Sequence, residues 1–102
     1  MPVIKYKLRL LKIAEEDFTE IISYIASDNP GAAEAIAGKI EKSLELLADN
    51  PLFGRVPRDE DIGNLGYRYF IVQKYIIIYI IEEKTIFVHR KLHGARDYKK
   101  LL

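Results

Sequence analysis

The residues with the best case for chemistry are His93, Arg96 and Tyr98, with Arg68 across a sheet. A histidine moves protons near neutral pH, an arginine stabilises the charge on a pentacoordinate phosphate, and a tyrosine can act as an acid. Each also has an ordinary structural reading. His93 can simply end a strand, Arg96 and Asp97 can form a surface ion pair or a helix cap, and Tyr98 can cover the edge of a core. No stronger constellation competes with them. The 102 residues contain no cysteine, and there is neither a glycine-rich phosphate loop nor metal-ligand spacing. Asp59, Glu60 and Asp61 are consecutive acids without ligand spacing and read as a solvated loop. No metal or cofactor is expected.

The net charge of +1 hides an asymmetry. Residues 1–66 hold eight Lys and Arg against twelve Asp and Glu, whereas residues 67–102 hold eight against three, together with both histidines. A cationic C-terminal third could attract nucleic acid or an acidic protein, although edge strands also carry Lys and Arg to block aggregation. With 49% hydrophobic and 30% charged residues, the composition is that of one soluble domain over residues 1–102. The longest apolar run, Tyr75 to Ile81, is far shorter than the roughly 20 residues a membrane span requires. The N-terminus has no apolar signal core, so a cytoplasmic protein without a membrane partner is expected.

Several elements must position these residues. Val3 to Leu10 alternates as a strand, with Lys5, Lys7 and Arg9 on one face and Ile4, Tyr6, Leu8 and Leu10 on the other. Ile13 to Ser27 has helical spacing. Ala14, Phe18, Ile21, Ile22 and Ile25 form its apolar stripe, and Glu15, Glu16, Asp17 and Glu20 face water. Asn29 caps a second helix that has Pro30 in its first turn and runs to Ala48 on Ala33, Ile36, Ala37, Ile40, Leu44 and Leu47. Its small residues, Gly38 among them, allow close helix contact. The stretch from Pro51 to Gly66 is aperiodic and reads as a mobile loop. Tyr67–Gln73, Tyr75–Ile81 and Thr85–Leu92 then read as strands, the middle one central because it is apolar on both faces. The fold class is α+β: an N-terminal strand, an antiparallel helical hairpin on a mainly antiparallel sheet of about four strands, and a short C-terminal helix or tail.

Strand alternation sorts the last strand. Ile86, Val88, Arg90 and Leu92 should face the helices, leaving Phe87, His89, Lys91 and His93 on an open face. On the middle strand either Tyr75, Ile77 and Tyr79 or Ile76, Ile78 and Ile80 reach that open face, since a slip of one residue exchanges the two sets.

The ordered pattern Ala14-x-x-Asp17-Phe18-x-x-Ile21-x-x-Tyr24-Ile25, Asn29-Pro30-x-Ala32-Ala33, Leu46-Leu47, Asn50-Pro51-x-x-Gly54-Arg55, Tyr75-Ile-Ile-Ile-Tyr79 and Leu92-His93-Gly94-Ala95-Arg96-Asp97 resembles the RelE/ParE superfamily of toxins. These belong to type II toxin–antitoxin modules and are also called plasmid stabilisation proteins. The resemblance covers nearly the whole chain. It implies a small toxin neutralised by a cognate antitoxin in a hetero-oligomer. Its target would be DNA gyrase, bound as ParE-like members do, or the ribosome, where RelE-like members cut mRNA. Nuclease members carry Arg just after the first Tyr of the central strand, where this chain has Ile76, and some follow the terminal His with Tyr, where this chain has Gly94. The ending from Leu92 to Asp97 looks more like the ParE branch. The resemblance therefore implies gyrase inhibition by binding, with His89, Lys91, His93, Arg96, Asp97 and Ile76 as the working surface toward target or antitoxin. The endoribonuclease alternative would use His93, Arg96, Tyr98 and Arg68. A degenerate toxin that only binds antitoxin is the third reading.

Overall fold

The computed structural model describes residues 6–58 and 60–93. In chain order the elements are β1 (Lys7–Leu10), α1 (Lys12–Asp28), α2 (Pro30–Asp49), a 3-10 turn (Pro51–Phe53), α3 (Glu60–Asn64), β2 (Tyr67–Val72), β3 (Tyr75–Glu82) and β4 (Thr85–His93). The sheet order is β1-β4-β3-β2. β2, β3 and β4 are antiparallel neighbours, and β1 joins the edge of β4 in parallel. The α+β arrangement read from the sequence is therefore the observed one, with β3 inside the sheet. The expected C-terminal helix or tail lies outside the described residues. Among the described residues no helix is long and apolar enough to cross a membrane.

The helical hairpin forms where the sequence pattern placed it. Asn29 Oδ1 accepts from Ala32 N at 3.1 Å, and Pro30 occupies the first turn of α2. Ala14, Ile40, Leu44 and Leu47 from the helices meet Phe70, Val72, Ile77, Tyr79, Ile86 and Val88 from the sheet in one cluster. Burying each large aliphatic side chain there contributes about 1.5–3 kcal/mol. Leu8 and Leu10 pack against the same cluster. Gly38 is exposed and a Cβ there would meet nothing within 4 Å, so it is not a helix contact.

Residues 51–55 are pinned rather than loose, in contrast to the mobile loop expected. The Tyr79 hydroxyl donates to Pro51 O and accepts from Gly54 N, both at 2.9 Å. Arg68 Nη1 donates to Gly54 O at 2.9 Å, and Arg55 pairs its backbone with Tyr69. Tyr79 is fully buried. Burial pushes its hydroxyl above the usual phenol range, against the opposing pull of the Gly54 N–H and of Arg68. Gly54 is required by proximity: a Cβ there would overlap the Tyr79 hydroxyl and lie 2.8 Å from Tyr69 O. Gly54→Ala must therefore displace Tyr79 or the loop. It should lower stability by about 1–3 kcal/mol, as overpacking does, readable by urea denaturation.

Candidate functional site

The site is built where β1 ends. β1 stops at Leu10, opposite Val88, and Leu11 N makes the last ladder bond to Val88 O before the chain turns into α1. Among the described residues the outer edge of β4 beyond Val88 has no strand partner, and α1 supplies one acceptor in its place. Asp17 Oδ2 accepts from the backbone N–H of Lys91 at 3.2 Å. The same carboxylate takes Arg90 in a bidentate pair, Nε–Oδ2 at 2.8 Å and Nη2–Oδ1 at 3.0 Å. Fork-on-fork pairing of this kind is short and strongly directional. It holds the Arg90 guanidinium above its already high range.

β4 also carries a bulge. Tyr79 pairs with Val88 and Ile78 with Arg90, leaving His89 as the extra residue. An inserted residue reverses the inside–outside phase of everything after it. This overturns the expected placement of Lys91 on an open face. Lys91 is only 2% exposed, with Nζ 4.0 Å from the centroid of the Phe18 ring on α1. Burial pulls its ammonium down to about 8, and Asp17, Glu15 and Glu41 only partly offset that. Arg90, expected to face the helices, leaves the strand edge to reach α1 through Asp17. Asp17 itself was expected in water, yet its side chain is 12% exposed. Its position, three residues after Ala14 and four before Ile21, puts it beside the buried stripe, and that spacing was the available signal.

The second face of the sheet is not open at its centre. Ile77 and Tyr79 belong to the helix-side core, so alternation sends Ile76 and Ile78 the other way, yet each is 1% exposed. Ile76 is therefore not a contact residue available at the surface. Toward the far end of that face, Tyr67 and His89 meet edge-on with ring centroids 5.1 Å apart, and the Tyr67 hydroxyl lies 3.4 Å from His89 Nδ1. Burial lowers the imidazole below its ordinary 6.5, against the attraction of Glu82. A neutral His89 at pH 7 follows.

Arg68 does not join the proposed catalytic set. It pairs with Tyr79 on β3, whereas His93 pairs with Tyr75 at the other end of that strand. Four residues of strand separate those positions, roughly 13 Å, and Arg68 is engaged with Gly54 O. His93 is placed as the last residue of β4. Arg96, Asp97 and Tyr98 lie outside the described residues. Among the described residues no group of His, Asp and Glu could hold a metal ion.

Between α1 and the ends of β3 and β4 lies a cleft of about 430 Å³, lined by Asp17, Glu20, Ile21, Tyr24, Tyr75, Arg90 and Lys91. Two measurable consequences follow from its chemistry. Asp17→Ala removes the acceptor that both Arg90 and Lys91 N use and should lower stability by about 1–3 kcal/mol; thermal denaturation reads it. Lys91 binds its proton less tightly folded than unfolded, so the unfolded chain holds more protons between pH 8 and the ordinary lysine range. Stability should therefore rise as pH goes from about 8 toward 10, by about 2–3 kcal/mol in total, and this rise should vanish in Lys91→Met.

Residues 8–98 match the family model of the ParE toxin of the type II toxin–antitoxin system parDE. The sequence has no significant match among curated proteins. Among solved structures, the chromosomal ParDE toxin–antitoxin system from P. aeruginosa contains a similar chain. It has 16% identity and a TM-score of 0.74, with 89% of this chain and 98% of that one covered. The RelBE2 toxin–antitoxin complex from Mycobacterium tuberculosis contains another, with 22% identity, a TM-score of 0.63, and 92% and 97% covered. At those identities the structures speak for the fold, while the sequence model covers most of the chain. A RelE/ParE-type fold carrying a ParE sequence signature across nearly its full length makes this chain a member of the ParE toxin family of type II toxin–antitoxin systems.

Proposed function

We propose that this toxin acts by gripping DNA gyrase rather than by cutting RNA, and that a cognate antitoxin neutralises it by binding. The observation that carries the reading is Ile76. A nuclease of this superfamily would place a guanidinium there, next to the scissile phosphate. Here a hydrocarbon sits near the start of β3, 1% exposed and paired with Ile71 and Leu92. A buried isoleucine cannot stabilise a developing phosphorane charge. Of the described cations at the same end of the sheet, Arg90 is paired with Asp17 and Lys91 is turned to the helix side, under Phe18. The antitoxin partner is supported by the family and by the two structural neighbours, both toxin–antitoxin systems. The cationic C-terminal third would then serve to steer the toxin toward a negatively charged gyrase–DNA complex.

Inducible expression with separate readings of DNA damage and of protein synthesis tests this. The expected outcome is induction of the DNA-damage response while transcripts stay intact. Early arrest of translation with cleaved mRNA would instead establish the nuclease mechanism. Arg96→Ala is expected to reduce toxicity without lowering the melting temperature. If it unfolds the protein, Arg96 belongs to the scaffold and not to the target-binding surface.

A further inference from the structure

We propose that the cleft between α1 and β4 is an anion-receiving site whose occupant is an acidic side chain, Asp or Glu, on a segment of the antitoxin, with Lys91 as its counter-charge. The inference rests on the reading above that an antitoxin binds this toxin, and adds where one of its contacts falls and with what chemistry.

The Lys91 ammonium has no described salt-bridge partner. Lys91 is 98% removed from water, yet no described carboxylate pairs with its Nζ; its described contact is the face of Phe18 at 4.0 Å. Asp17 is the acid that acts most strongly on Lys91, but its oxygens are already engaged by the Arg90 fork and the Lys91 backbone N–H. An ammonium that rests on a ring face, with carboxylates acting on it only from a distance, gains from an anion that makes direct contact. It can be reached, because Lys91 lines the cleft.

The surrounding groups say which anion. The charged and titratable groups toward Lys91 are Glu15, Asp17 and Glu20 on α1, Glu41 on α2, Tyr75 on β3 and Arg90 on β4. Arg90 is paired with Asp17, and Glu15, Glu20 and Glu41 outnumber Lys91, so a doubly charged phosphate is repelled and a single carboxylate is held only by direct contact with the Lys91 ammonium. The rest of the lining is amphipathic: Ile21 and two tyrosines, of which Tyr24 is 80% exposed. Such a wall suits the apolar neighbours of an acidic residue on a protein segment, with an aromatic at the rim as an anchor.

Calorimetric titration of the full-length toxin with its purified cognate antitoxin, at several pH values from about 7 to 9.5, tests this on wild type, Lys91→Met and Tyr24→Ala. An anion favours the protonated amine, so wild-type affinity should fall as pH rises above about 8, by up to tenfold per unit. Lys91→Met keeps the stem over Phe18 and removes the charge. It should bind on the order of 10- to 100-fold more weakly near pH 7, lose that pH dependence, and melt no lower than wild type. Tyr24→Ala should weaken binding several-fold while keeping the pH dependence. Lys91→Met binding as tightly as wild type with the same pH profile would overturn the cleft assignment and leave the antitoxin reading standing. If that variant does not fold, unchanged affinity in Tyr24→Ala overturns it equally. Absence of any binding to wild type overturns both readings. Sodium acetate alone matching the antitoxin's effect on the Lys91 titration, followed by NMR, would overturn the protein occupant.

Discussion

One carboxylate carries the junction between the two layers of this protein. β1 is only four residues long, so the edge of β4 would be left unsatisfied beyond Val88. Asp17 acts as a one-residue substitute for the missing strand. It accepts the Lys91 N–H as a strand carbonyl would, and it binds Arg90 through both oxygens. Buried backbone donors must find acceptors, so shortening β1 is tolerable only because α1 brings an acceptor to the edge. The register of α1 against β4 follows from this contact. Ala14 lies one turn before Asp17 and is fully buried, and a larger side chain there would hold the helix off the sheet.

The bulge at His89 gives that contact its consequences. Without the extra residue, Lys91 would face away from the helices and Phe18 would cover hydrocarbon. With it, an ammonium is turned under α1. A second lock works from the middle of β3, where the Tyr79 hydroxyl joins Pro51 O to Gly54 N and so fixes the segment leaving α2. The two locks are chemically different. The Tyr79 lock is neutral, buried and complete, and strengthens with exclusion of water. The Asp17 junction is charged and borders a cleft that Lys91 also lines.

This difference explains what could be read from the sequence. The helical hairpin was legible because apolar spacing, the Asn29 cap and Pro30 all agree, and the strands because Ile, Val, Tyr and Phe crowd into short runs. The Asn50-Pro51-x-x-Gly54-Arg55 and Tyr75-x-x-x-Tyr79 patterns were visible as patterns, but their reason, a hydroxyl lodged against a residue without a Cβ, needs three dimensions. Lys91 was misplaced because alternation assumes an unbroken ladder, and nothing in Val88-His89-Arg90-Lys91 announces an inserted residue. Asp17 was misread because a lone acid among Glu15, Glu16 and Glu20 looks like one more solvated charge. Its partner lies 73 positions away. Local pattern is silent on pairings of that range.

A buried ammonium beside a core is costly to keep. Replacing such a group by a hydrocarbon of similar length is often neutral or stabilising in other proteins. Position 91 could hold methionine over Phe18 with little loss of contact, and β4 already tolerates Ile86 and Val88 fully buried nearby. Packing alone therefore does not account for a lysine there. Two physical terms remain. The carboxylates of Asp17, Glu15 and Glu41 favour the charge from a distance, but not enough to cancel the desolvation that pulls the amine down to about 8.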